Sequence, residues 1–118
     1  MPEGYQLEQP ITLSCPECAG TLRCEAEGDL LLYRCHIGHR LSGQAMLHAQ
    51  MAQLEQRLCS CLSLLNERAE LCRQLQDAAS RQGQAAEPYD AARREALERA
   101  RSLRSLLEAL WLRPDLTV

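Results

Sequence analysis

Cys15-Pro16-Glu17-Cys18-Ala19-Gly20 and, beyond residues 21–34, Cys35-His36-Ile37-Gly38-His39 decide how this chain begins to fold. Each stretch reads as a tight turn carrying soft or borderline ligands. Between them, Thr21 to Ala26 and Asp29 to Cys35 read as two strands turning at Glu27-Gly28-Asp29, so the second strand returns the chain to the first turn. Ile11 to Ser14 has the alternation of a further short strand ahead of the first turn. Zinc takes four such ligands in a tetrahedron, and two turns joined by a hairpin supply them from positions distant in sequence. Cys15, Cys18 and Cys35 are three candidates. The fourth is His39, which closes a Cys-x3-His turn, with His36 as the alternate, since a residue next to Cys35 points away if the strand pleat persists. His36 otherwise supports a ligand from outside the set. Histidine in the set favours zinc over iron.

Other chemistries fit these residues less well. A thioredoxin-like Cys-x-x-Cys needs a βαβ setting, and c-type haem attachment needs His where Ala19 stands. A catalytic zinc keeps an open position, whereas four ligands close this one, so the chain is expected not to be an enzyme. Cys24 reads as a small core residue of the first strand, and Cys61 and Cys72 as small hydrophobes on a helix seam, with Cys59 facing elsewhere.

After Ser42, a plausible N-cap, residues 44–82 contain neither proline nor glycine. Leu47, Met51, Leu54, Leu58, Cys61 and Leu65 step by four and three, a heptad seam that continues through Cys72, Leu75 and Ala79 with Arg68 as its polar occupant. Gly83 ends this helix; Pro88 or Asp90 starts a second, with Ala96, Ala100, Leu103, Leu107 and Leu110 on its seam and Arg113-Pro114 as its stop. The short linker makes the pair antiparallel. The expected fold is mainly α with a small β zinc ribbon, the ribbon occupying residues 1–43 and an antiparallel two-helix hairpin residues 44–118. A second helix expected over 89–112 covers the first only back to about Leu58. Leu47, Met51 and Leu54 are then left as an interaction stripe for another protein or a second copy, giving a homodimer or a partner-binding groove.

The composition agrees. Leucine is the commonest residue and Phe is absent, as befits zippered helices, and all basic residues are arginines. Formal net charge is −3, and the ribbon holds six acids against three arginines, which argues against nucleic acid as its partner. With no apolar run of about eighteen residues and no signal pattern, the expectation is a soluble, cytoplasmic chain that does not enter a membrane. Seven cysteines in a reducing compartment point to metal or free thiols.

Leu13 to Leu22, Leu32 to His39 and the Leu65 to Leu71 segment of the first helix resemble the cysteine-rich helical extension of some bacterial chemotaxis-type protein-glutamate methylesterases (CheB). The resemblance covers about residues 11–82. It implies an accessory module of a bacterial signalling system, and no esterase activity, because the serines of this chain lack the nucleophile elbow of a Ser-His-Asp domain. The sequence therefore predicts a zinc-dependent protein-interaction module; the competing readings are a nucleic-acid-binding ribbon and a thiol-based redox switch.

Overall fold

The computed structural model describes residues 12–109 and residue 111. Three strands, β1 (Leu22–Glu27), β2 (Leu30–Cys35) and β3 (Arg40–Ser42), precede two helices, α1 (Gly43–Arg81) and α2 (Glu87–Glu108). The chain divides into two compact units, Met1–Met51 and Ala52–Val118, whereas the sequence puts the ribbon's end at residue 43.

In the first unit the strands form one antiparallel sheet in the order β1-β2-β3. A two-residue turn at Gly28-Asp29 sets the register, pairing Glu27 with Leu30 and, at the far end, Leu22 with Cys35. The third strand was not expected from sequence. Three residues are too few to show alternation, and β3 forms because the second turn reverses the chain and sets Leu41 opposite Tyr33. Of the expected strand at Ile11 to Ser14, Ile11 lies outside the described residues, and Ser14 makes a single bridge to Thr21. The core of this unit is small: Cys15, Leu22, Cys35 and Met46, flanked by Leu13, Cys18, Tyr33 and Leu41. Cys24 is exposed, not the core residue expected: it shares a face of β1 with Leu22, but the buried cluster takes only Leu22 from that strand. Ser42 ends β3 and also caps α1, its Oγ accepting the Ala45 N–H at 3.1 Å.

In the second unit α1 ends in a Schellman motif. Gly83, at φ 69, lets the Gln84 N–H reach the Ala79 carbonyl at 2.8 Å while its own N–H reaches Ser80 at 3.2 Å. Pro88 lies in the first turn of α2 with Glu87 and Asp90, whose charges suit a helix N-terminus. Leu62 and Asn66 of α1 line a common cleft with Leu97, Ala100, Arg101 and Arg104 of α2, as an antiparallel hairpin requires.

The covered face of α1 corrects the expected seam. Leu58, Leu65, Cys72 and Ala79 are at least half-buried as expected, but the alternate positions are Leu62, Ala69 and Gln76, while Cys61, Arg68 and Leu75 are exposed. A seam through Arg68 would bury an unpaired guanidinium; rotating the helix by one residue substitutes Ala69, which is 4% exposed. Ala96 and Ala100 are buried on α2 with Leu103 and Leu107 half-buried, as expected; Leu110 and the Arg113-Pro114 stop lie outside the described residues. Helix α2 already stops at Glu108. There the Leu106 carbonyl accepts both the Ala109 N–H and the Trp111 indole N–H, and Ala109 turns extended.

Candidate metal centre

Each Cys/His turn is built so that its backbone amides face a sulfur. In the first turn the Cys15 N–H bonds the Gly20 carbonyl at 2.7 Å and the Ala19 N–H the Cys15 carbonyl at 2.8 Å, which folds the loop back over the Cys15 thiol. Ala19 takes a φ of 63 there, a left-handed conformation that costs an alanine about 1 kcal/mol. Gly20 sits close to the cluster: a Cβ at that position would lie 3.3 Å from Cys18 Sγ, a tight contact, and 3.6 Å from the His36 ring. The second turn repeats the device, with the Cys35 N–H to the His39 carbonyl and the Gly38 N–H to the Cys35 carbonyl, both at 3.1 Å.

The hairpin register brings the two turns together. The ligand atoms of Cys15, Cys18, Cys35 and His39 all lie within 4.8 Å of one another. Cys18 Sγ is 3.7 Å from Cys35 Sγ, and His39 Nδ1 is 3.3 Å from Cys35 Sγ and 3.6 Å from Cys15 Sγ. A tetrahedron with metal–sulfur bonds of about 2.3 Å and a metal–nitrogen bond of about 2.0–2.1 Å requires sulfur–sulfur edges of about 3.8 Å and nitrogen–sulfur edges of about 3.6 Å. The spacing fits a four-coordinate ion. His36 is exposed and stands outside the cluster, its ring beside Gly20. The group that sequence reasoning missed is Glu17, whose Oε2 lies 3.2 Å from His39 Nε2. A carboxylate two residues after Cys15 carries no sequence signal by itself, because its partner is set only by the fold.

The electrostatics prepare the site for a cation. Burial pushes the Cys35 thiol up, but the N–H groups of His39, Gly38 and Ile37, with the Cys18 thiol, together bring it down from 9.0 to about 6. Cys15 is lowered despite burial by the Glu17 and Cys18 N–H groups, then by the Cys18 and His39 side chains. For Cys18 the Gly20 N–H pulls downward, yet burial and the adjacent Cys15 and Cys35 sulfurs win and raise it. His39 is raised by Cys35 and then by Cys15.

These directions fix the pH dependence of metal binding, which displaces thiol protons. Above about pH 6 Cys35 is already largely a thiolate and releases none, whereas Cys18, and His39 with its raised pKa, still have protons to lose in the neutral range. Affinity is expected to rise with pH through the neutral range on the Cys18 and His39 protons, and the slope to steepen below about pH 6 as Cys35 protonates. Competition titration against a chromophoric chelator from about pH 5 to 8 checks this; one constant slope across that range would contradict it.

No protein-family model, curated protein or solved structure matches the chain. Among the described residues no helix is long and apolar enough to cross a membrane.

Proposed function

We propose that the chain is a zinc-binding protein-interaction module in which Cys15, Cys18, Cys35 and His39 hold one structural ion and the helical hairpin presents the binding surface. The observation that carries the metal half is the agreement of the sulfur–sulfur and nitrogen–sulfur distances, 3.7, 3.3 and 3.6 Å, with the edges of a tetrahedral Cys3His site. A histidine among the ligands favours zinc over iron, and four protein ligands leave no position for a substrate, so the proposed role is non-catalytic. The setting we propose, a bacterial signalling system, rests on the resemblance of Leu13 to Leu22 and Leu32 to His39 to the methylesterase extension.

The interaction half rests on helix α1. At about 1.5 Å per residue its 39 residues span roughly 58 Å, against about 33 Å for the 22 of α2. Leu47 and Leu54 are 43% and 38% exposed, and Met51 is half-buried. Apolar residues at this spacing suit an opposing helix, from another protein or from a second copy. Light scattering is expected to give a dimer mass for the wild type and a monomer mass for Leu47→Glu/Met51→Glu with unchanged metal content. A monomer in both, with equal capture of partner helices, would remove the stripe as an interface.

A further inference from the structure

The geometry points to Glu17 as the positioning residue for the histidine ligand: its carboxylate accepts the Nε2 proton of His39, so that Nδ1 keeps a bare lone pair aimed at the metal. This rests on the metal reading above. Nδ1 of His39 is the nitrogen that faces the sulfurs, at 3.3 Å from Cys35 and 3.6 Å from Cys15, while Nε2 on the opposite side of the ring lies 3.2 Å from Glu17 Oε2. A neutral imidazole carries one ring proton, and the ligating nitrogen cannot hold it. A carboxylate on the far nitrogen fixes the tautomer, holds the ring plane and makes the ligating nitrogen more basic.

Glu17 is placed for this by the turn itself. Its backbone N–H bonds the Cys15 thiol, so its side chain starts from a segment that the metal ligands already hold. The side chains of His39 and Glu17 are 33% and 57% exposed. An ion pair that open to water contributes little by its own attraction. Any large effect of Glu17 must therefore act through the ring it orients. Substitution by alanine keeps the backbone amide and removes only the carboxylate.

The test compares zinc affinity of the full chain, by chelator competition, in wild type, Glu17→Ala, Glu17→Gln and Asp29→Asn. Asp29 lies at the exposed tip of the hairpin, so its substitution removes the same charge from the ribbon without touching His39. Glu17→Ala is expected to bind zinc about 10- to 100-fold more weakly, Glu17→Gln to recover part of that loss because its amide oxygen still accepts the Nε2 proton, and Asp29→Asn to stay near wild type. Long-range nitrogen–proton NMR of the zinc-loaded protein should show His39 bound through Nδ1 and protonated at Nε2 in the wild type, with those resonances broadened in Glu17→Ala. Tight binding by the wild type with Glu17→Ala no weaker than Asp29→Asn overturns this role alone. A wild type that binds no zinc overturns the metal reading and this role together.

Discussion

Cys35→Ser is expected to abolish tight metal binding, with a loss larger than the roughly 100-fold upper range for groups outside the ligand set. Cys35 is 1% exposed, and its sulfur receives N–H groups from Ile37, Gly38 and His39. A serine hydroxyl in that cradle is smaller and far harder to deprotonate, so it supplies neither the charge nor the soft donor that zinc favours. Cys15→Ser, in the equivalent position of the first turn and also 1% exposed, should do the same, and so should Cys18→Ser. Cys59→Ser and Cys61→Ser, both exposed on α1, should leave affinity unchanged. Between the histidines, His39→Ala should cost more than His36→Ala, since only His39 joins the cluster. Chelator competition on these variants reads the whole series. Full retention in Cys18→Ser, or a larger loss for His36→Ala, would move the site away from these four side chains.

The second large effect is on folding. The ribbon's core amounts to Cys15, Leu22, Cys35 and Met46 with four partly buried neighbours, and two of these core residues, Cys15 and Cys35, belong to the cluster itself. So small a core does not offset the conformational entropy of ordering three strands and two turns, and without a cation its two close-packed, down-shifted thiols are left facing each other. Structural zinc supplies on the order of 10 kcal/mol or more in such modules. Removing it should therefore erase hydrogen-exchange protection across β1, β2 and β3. The amides of α1 beyond Met51 and of α2 should keep theirs, because the contacts that bury Ala69, Cys72, Ala79, Ala96 and Ala100 involve no metal ligand. Strands that stay protected after complete chelation would show that apolar packing alone sustains the ribbon.

The mainly helical fold and its small ribbon were legible because the signals are local. Ser42 before a long run without proline or glycine, Gly83 at the end of that run and Pro88 inside the next helix mark boundaries within a residue or two. The clustering of Cys15, Cys18, Cys35 and His39 was also open to inference, since one hairpin determines it. Less legible was whatever depends on which of two adjacent residues faces inward. Cys61 and Leu62, or Arg68 and Ala69, satisfy a heptad equally well on paper; the choice depends on the cost of burying Arg68 and on how closely alanines let the helices approach. Glu17 was illegible for a similar reason, because its contact with His39 spans the hairpin and exists only once both turns have formed.

The central claim is that three sulfurs and one imidazole nitrogen of this chain hold a single zinc ion, and X-ray absorption at the zinc edge tests it most directly. The expected spectrum of the purified protein is one zinc per chain with three sulfur neighbours at about 2.3 Å and one nitrogen at about 2.0–2.1 Å. A shell of four sulfurs, a shell dominated by nitrogen or oxygen, or no stoichiometric zinc after reconstitution would contradict it.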